Sequence, residues 1–351
     1  MDNQQAANAA LQFGKGRPFI EILKGGLIHH TYKVTYDEHP GQVVLQCINQ
    51  TMFHHPTDII HNYDLVYRAV HGKEGITIPP MIPARDGRFY YIDEAQQFWR
   101  ALKYIPGSYT AKTPQDAAAA KLTANCFAHF TSALASLELA ELKPVIPRFH
   151  DLKMRYDQFE KSLLTAMQNR LMTATHVIAE LRQRYHLVEF YNSISNQPSQ
   201  YRQRVMHHDC KLSNILLDEQ THQAICPVDL DTVMPGLYFS DLGDMIRSMA
   251  CTLDENSTDW AGIGIRPDFY EAIVEGYLSG IGGQLTPEEQ AHIHKAGLIM
   301  VYMQALRYIT DHLNNDVYYK ISYPEQNLNR ALNQLLLLER LEEYLEQQHE
   351  L

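Results

Sequence analysis

Apolar and polar positions change rhythm once along this chain. Up to about residue 105 the apolar residues come in short runs with strand-like character. Phe19–Leu23 predicts a strand, and Gly25-Gly26 breaks it. Thr31–Tyr36 and Val43–Ile48 flank a Pro40-Gly41 turn and predict a hairpin. Thr57–Val70 carries Ile60, Leu65, Val66 and Val70 at helical intervals. Arg88–Ile92, preceded by an Asp86-Gly87 turn, and Phe98–Ile105 predict two more strands, and Pro106-Gly107 closes the series. Beyond Thr110 the spacing becomes helical. Leu122, Cys126, Phe130, Leu134 and Leu137 form one apolar face, and Tyr156–Met172 and Thr175–Tyr191 predict further helices. A β interlude follows at Arg204–Met206, Asn214–Leu217 and Ala224–Val228. Thr286-Pro-Glu-Glu289 supplies an N-cap, a first-turn proline and a capping-box glutamate for a helix expected to run to about His312. Leu328–Tyr344 is a final leucine-rich helix. The expectation is an α+β chain with a small antiparallel β-sheet lobe, 1–105, hinged to a larger, mainly helical lobe, 106–351. Such an architecture can bind a nucleotide in a cleft, but architecture alone fixes no function.

Composition narrows the partners. The 351 residues are 45% hydrophobic and 20% charged, with a net charge of -11, which suits a globular protein. That balance argues against a nucleic acid or an anionic membrane surface, since both require a cationic footprint. Cys47, Cys126, Cys210, Cys226 and Cys251 include no Cys-x-x-Cys pair and are odd in number, which suits a reducing cytoplasm. Met1–Ala10 lacks the basic and apolar regions of a signal peptide, and the longest apolar run, about Leu298–Met303, is far shorter than the ~18 residues of a membrane span. A cytoplasmic, soluble protein is expected.

The densest chemistry lies between His207 and Asp244. His207-His-Asp209-Cys-Lys211-Leu-Ser-Asn214 fits His-x-Asp-x-Lys-x-x-Asn, the catalytic loop of protein-kinase-like enzymes. An aspartate at a strand end can accept the proton of an attacking hydroxyl, so Asp209 is the candidate base. Asn214, five residues on, offers an amide oxygen to Mg²⁺. Asp229 lies 20 residues after Asp209, at the end of the strand Ala224–Val228, and supplies a second metal-binding carboxylate. Such a site works by positioning and charge neutralisation. Two bland alternatives compete with it: a capped β-turn without chemistry, and a His-x-Asp metal hydrolase. The hydrolase would need further ligands at metal spacing and leaves Lys211 and Asn214 unexplained.

Other candidates are weaker. Lys211 either neutralises the transferred phosphoryl group or is a solvated surface lysine. His207 and Asp241, the latter in Asp241-Leu-Gly-Asp244, are candidates for supporting the catalytic loop. Gly25, Gly26, Gln46, Tyr104 and Ile105 are the nucleotide-binding candidates, although Gln46 brings no charge where kinases place a phosphate-binding lysine. Arg307 sits in the apolar stretch Gly297–Ile309, so it needs either an ion-pair partner or contact with an acceptor in a wet cleft. The nearby Asp316-Val-Tyr-Tyr319 could lay a ring against a sugar face. His29-His30, His54-His55 and His61 show no metal-ligand spacing and are expected to be solvated or in turns.

Several phrases together resemble the aminoglycoside phosphotransferase/choline kinase superfamily, and within it the N-acetylhexosamine 1-kinase branch. They are Leu45-Gln-Cys-Ile-Asn49, Phe149-His-Asp151 with Arg155, His208-Asp209 to Asn214, and Asp229-Leu-Asp-Thr-Val-Met-Pro-Gly236. Asp241-Leu-Gly-Asp244 with Arg247, Leu306-Arg307, Asp316-Val-Tyr318 and Tyr323-Pro-Glu-Gln-Asn-Leu328 complete the series. The resemblance covers roughly residues 20 to 340. It implies a two-lobed, protein-kinase-like fold and transfer of the ATP γ-phosphate to the anomeric hydroxyl of an N-acetylhexosamine. Asp209 would be the base, Asn214 and Asp229 the Mg²⁺ ligands, and Asp231, Arg307 and Tyr318 the sugar contacts. Glutamine at position 46 is familiar in this branch, whereas its Gly-His-Ile-Asn reads Gly26-Leu-Ile-His29 here. A kinase of another small alcohol (aminoglycoside, choline, methylthioribose) and a catalytically dead nucleotide-binding regulator stay open.

Overall fold

A computed structural model describes residues 3–23 and 28–348. In chain order the elements begin α1 (Asn3–Ala10), β1 (Pro18–Ile22), β2 (His30–Tyr36), β3 (Gln42–Cys47) and α2 (Pro56–Val70). They continue β4 (Met81–Ile82), β5 (Tyr91–Ile92), β6 (Phe98–Lys103), β7 (Ser108–Tyr109), α3 (Ala117–Ala133), α4 (Leu152–Thr165) and α5 (Gln168–Thr173). Next come α6 (Thr175–Gln183), α7 (His186–Ser195), β8 (Arg204–Met206), β9 (Ile215–Asp218), β10 (Ala224–Pro227) and β11 (Met234–Gly236). The chain ends with α8 (Phe239–Met249), α9 (Pro267–Ile281), α10 (Pro287–Ala291), α11 (Lys295–Leu313) and α12 (Gln326–Gln348).

These elements form two compact units. The first comprises Met1–Tyr109, Ser136–Pro147 and Leu216–Met234; the second comprises Thr110–Ala135, Arg148–Ile215 and Pro235–Leu351.

The first unit is built on an antiparallel sheet in the order β1-β2-β3-β6-β4, with β5 also on β6. Alternation fixes its register: Tyr32, Val34 and Tyr36 on β2 and Val43, Leu45 and Cys47 on β3 all point to one buried face. α1 covers that face with Ala6, Ala9 and Ala10, followed by Phe13. Small side chains let the helix lie close to the sheet, and the Tyr36 hydroxyl donates to the Ala10 carbonyl at 2.7 Å. Asn62 of α2 donates to the Lys143 and Val233 carbonyls at 2.8 and 3.0 Å, tying the two later segments into this unit.

The second unit is helical. α9 lies on α3 through Gly276 and Gly280, where an added Cβ would meet the carbonyls of Lys121 and Asn125. α8 is set against α11 in the same manner, through Gly243 under the Ala296 carbonyl. No described helix is long and apolar enough to cross a membrane, and no disulfide joins the cysteines among the described residues.

Several expected elements come out differently. Of Arg88–Ile92 only Tyr91–Ile92 pairs with β6, because the Arg88 side chain turns back onto Asp86. Tyr156–Met172 and Thr175–Tyr191 are four helices, not two. The first break falls at Ala166 and Met167, whose backbone is extended. Arg170 then anchors α5 on the His312 carbonyl and Asp316, a tertiary contact with no local signature. The helix opened by the Thr286–Glu289 capping box stops at Ala291. Tyr238 donates to the His292 carbonyl, and the hydroxyls of Tyr201 and Tyr270 bond the rings of His292 and His294, so the chain turns there before α11.

Candidate functional site

The catalytic-loop residues leave β8 and are held from behind by the first turns of α8. Asp241 accepts the backbone N–H of His207 at 2.9 Å and of His208 at 2.8 Å. Asp244 accepts the N–H of Cys210 at 2.9 Å and pairs with Arg247 at 2.8 Å, which in turn reaches Glu255. Two carboxylates thus fix three of the loop amides, which lets His208 hold a left-handed φ of 67°. Beneath the loop the His207 ring sits edge-on to Phe127 and Phe130, 4.9 and 6.2 Å away.

Asp209 is presented by this frame. Its Oδ2 accepts Lys211 Nζ at 2.9 Å and Asn214 Nδ2 at 2.8 Å, and Asn214 Nδ2 also reaches the Asp209 carbonyl at 2.9 Å. Burial works to raise the Asp209 pKa, but Lys211, His207 and Asn214 together outweigh it and hold the carboxyl below its ordinary value. Asp209 is therefore an anion at neutral pH with Oδ1 outside these bonds. Only the amide nitrogen of Asn214 can face two oxygen acceptors, so its carbonyl Oδ1 is left for a cation.

The first unit contributes a second group. After β10, Asp229 adopts a left-handed conformation (φ 60°) at the start of a single 3-10 turn, Leu230–Thr232. Ligand atoms of His29, Asp229 and Asp231 lie within 4.8 Å of one another. Asp231 is already committed: its Oδ2 accepts His29 Nε2 at 2.7 Å and its Oδ1 lies 2.6 Å from Arg100 Nη1. Against the effect of burial, Arg100 and His29 hold the Asp231 carboxyl well below the usual range. His29 Nδ1 accepts the Asn49 N–H at 3.0 Å, so Nε2 carries the proton given to Asp231. The carbonyl oxygen of Asn214 in the second unit and the carboxylate of Asp229 in the first are each donors of the kind Mg²⁺ prefers.

The remaining candidates are placed as follows. Gly25 and Gly26 lie outside the described residues. Gln46 Oε1 accepts Arg100 Nε and Nη2 at 2.9 and 2.8 Å, and its Nε2 donates to Thr31 at 3.3 Å, so its polar end is occupied. Arg100, the cross-strand partner of Gln46, is the cation that stands beside this position, and it is 1% exposed. Tyr104 lies under Lys33 Nζ at 4.3 Å, and the Ile105 carbonyl accepts Ser108 Oγ at 2.6 Å. The expected sugar contact at Asp231 is set aside, since that side chain is 2% exposed and bonded to two neighbours. His29, expected to be solvated, is buried with it. Arg307 makes no ion pair among the described residues. It stacks on Phe149, Tyr318 and Tyr319 and borders, with Tyr318, a cavity of about 570 Å³.

Sequence reasoning gave no role to Arg100, His29, Asp244 or Arg155. A charged residue inside the apolar strand Phe98–Leu102 was the one available signal, and it pointed to Arg100.

Solved structures with this architecture include a microcompartment-associated aminopropanol kinase, 18% identical with a TM-score of 0.60, the match covering 99% of this chain and 98% of that one. A spectinomycin phosphotransferase in complex with ADP and its antibiotic is 14% identical, TM-score 0.57, over 96% and 98% of the two chains. Choline kinase from Cryptosporidium parvum is 13% identical, TM-score 0.57, over 99% and 97%. At these identities the likeness shows the fold, which is the two-lobed, protein-kinase-like α+β fold expected from the sequence. Residues 20–289 match the family described as Phosphotransferase enzyme family, and with most of its length and its catalytic loop inside that match, the chain belongs to that family of phosphotransferases.

Proposed function

We propose that this phosphotransferase is a kinase of a small molecule, moving the γ-phosphoryl group of ATP directly onto an acceptor hydroxyl without a covalent enzyme intermediate. The observation that carries the reading is the state of Asp209, a carboxylate kept ionised by Lys211 and Asn214 on a backbone fixed by Asp241 and Asp244. Asp209 accepts the hydroxyl proton, and Lys211 balances charge on the group in flight. Asn214 Oδ1 and Asp229 are the ligands for Mg²⁺, which when bound neutralises phosphate oxygens. The presence of ADP in the solved spectinomycin phosphotransferase supports nucleotide use by this fold. Residues 1–105 would serve the nucleotide and 106–351 the acceptor, in a cytoplasmic setting where ATP is present and thiols stay reduced.

For the acceptor we propose a sugar, an N-acetylhexosamine phosphorylated at its anomeric hydroxyl. The Asp229–Gly236 and Tyr323-Pro-Glu phrases support this, as do the tyrosine rings beside Arg307. A cationic amino alcohol is disfavoured by the cations Arg155, Lys161 and Arg307 around the same cavity. The test is ADP release from Mg-ATP with a panel of free sugars and amino alcohols, with the phosphorylated product identified. Asp209→Ala should lower kcat by about 10²- to 10⁴-fold, the usual contribution of a general base, while Mg-ATP affinity stays within a few-fold. Undiminished kcat in that variant removes Asp209 as the base. Wild-type protein that binds Mg-ATP but turns over no acceptor would favour the regulatory alternative.

A further inference from the structure

The cavity of about 570 Å³ in the second unit runs against the charge of the molecule. The chain carries a net charge of -11, yet this wall presents Arg155, Lys161 and Arg307 against a single carboxylate, Asp311. That carboxylate is committed elsewhere. Its Oδ1 accepts the Tyr318 N–H at 2.8 Å, and its Oδ2 accepts the Tyr319 N–H and Asn327 Nδ2, both at 2.9 Å.

The two arginines are held in place without being neutralised. Arg155 donates Nε and Nη2 to the Phe149 carbonyl at 3.2 and 2.7 Å and Nη1 to Gln158 at 3.1 Å. Arg307 donates Nη1 to Gln304 at 3.0 Å, with its guanidinium 5.1, 6.0 and 5.7 Å from the rings of Phe149, Tyr318 and Tyr319. Amide oxygens and ring faces orient a guanidinium but leave its charge. Four other half-buried arginines of this unit have carboxylate partners: Arg204 pairs with Glu289, Arg247 with Asp244 and Glu255, Arg184 with Glu180 and Glu342, and Arg170 with Asp316. Arg266 and Arg330, like Arg155 and Arg307, are held by neutral oxygens and ring faces, but neither borders this cavity. Burial and the like charge of Arg307 push the Arg155 guanidinium down to about 10, so the pair repels and an added anion would relieve it. The Phe149 ring that carries Arg307 also meets His208 of the catalytic loop edge-on at 6.3 Å, which puts the arginine one aromatic layer from that loop.

We propose that this cavity is an oxyanion-binding site, and that the acceptor carries a carboxylate or phosphate in addition to the hydroxyl it presents for transfer. The identification of the bound molecule as the acceptor rests on the kinase reading above, and it narrows the N-acetylhexosamine proposed there to one that also carries an acidic substituent. Guanidinium groups suit either oxyanion.

The test compares N-acetylglucosamine, glucuronic acid, N-acetylglucosamine 6-phosphate and inorganic phosphate as probes of the full chain, by calorimetric titration and by ADP release with Mg-ATP. The sugars bearing an oxyanion should bind at least tenfold more tightly than N-acetylglucosamine, with affinity falling as salt rises. Which of the carboxylate and phosphate arms wins identifies the anion, and either result supports the site. Arg155→Gln should weaken binding of the charged sugar about tenfold or more. Lys161→Gln, an exposed position where folding is not at stake, should weaken it several-fold. Equal affinity for neutral and acidic sugars overturns the proposal, as does an Arg155→Gln or Lys161→Gln protein of unchanged melting temperature that keeps full affinity for the charged probe. Charged-probe binding that depends on Arg155 without any ADP release would leave the oxyanion site standing and remove the kinase reading.

Discussion

Arg100 and Asp231 offer a sharp energetic test, because both are buried and each is the other's counter-charge. Their side chains are 1% and 2% exposed and their facing atoms 2.6 Å apart. At an effective dielectric of about 20 the attraction at that separation is on the order of 6 kcal/mol, much of it offset by the loss of hydration of both ions. Asp231→Asn removes the anion and strands a buried guanidinium between the Gln46 amide and the Tyr63 ring, neither of which carries a charge to balance it. Arg100→Met leaves the buried Asp231 carboxylate without its arginine, on the His29 hydrogen bond. Each single change should therefore cost about 3–5 kcal/mol, whereas the double variant should cost well short of the sum, with a coupling of about 2 kcal/mol or more. Urea unfolding followed by the fluorescence of Trp99, the strand neighbour of Arg100, measures all four corners of the cycle. A Trp260→Phe background leaves Trp99 as the reporter, since these are the two tryptophans of the chain. Strict additivity, or single-variant losses under about 1 kcal/mol, would refute the reasoning from burial and pairing.

Three further outcomes follow from the geometry. Because Asp209 is held below its ordinary pKa, the acid limb of kcat/KM should lie below the ordinary carboxylate range; Lys211→Met removes the largest opposing charge and should move that limb upward, so an unshifted pH profile would contradict the pairing. Burial pushes the pKa of His150 well below its ordinary value and lowers that of His312. The stability these neutral rings confer is complete above about pH 6.5 and drains away as pH falls below it, at up to about 1.4 kcal/mol per pH unit for each ring. The urea midpoint should drop from pH 6.5 to 5, and His150→Phe should flatten that slope; a slope identical in the two proteins would exclude His150. Gly243→Ala drives a methyl group into the Ala296 carbonyl and the Met300 side chain, so it should destabilise by about 1–3 kcal/mol and depress kcat as α8 shifts Asp241 and Asp244; an unchanged melting temperature would show that α8 and α11 tolerate separation.

Much of the fold could be read from the chain, because hairpins and amphipathic helices announce themselves locally. The β2–β3 alternation and the Thr286–Glu289 capping box each carry their own geometry. What escaped depended on distant partners. α1 is a polar-looking octapeptide whose alanines matter only because a sheet lies beneath them. The turn at His292–His294 exists because Tyr201, Tyr238 and Tyr270 reach it from elsewhere. At the site, the spacing of Asp209, Lys211 and Asn214 was legible because five residues of loop bring them together. Arg100 and Asp231 meet across more than a hundred residues of sequence, and nothing local marks either as the other's partner. The same holds for Asp231: the family resemblance implied a sugar contact there, and no local feature of the sequence showed that its carboxylate lies buried on Arg100 and His29.

The orientation of one amide has a chemical consequence for the lifetime of the molecule. Asn214 gives both of its hydrogen bonds to Asp209 through a single nitrogen. Hydrolysis of that amide, the slow ageing reaction of asparagine, would leave the shape intact but turn a donor into an acceptor facing another acceptor. Two carboxylates in that position raise each other's pKa, working against the Lys211 charge that keeps Asp209 ionised. A preparation aged at Asn214, or the Asn214→Asp variant made deliberately, should stay folded while losing the base on which transfer depends.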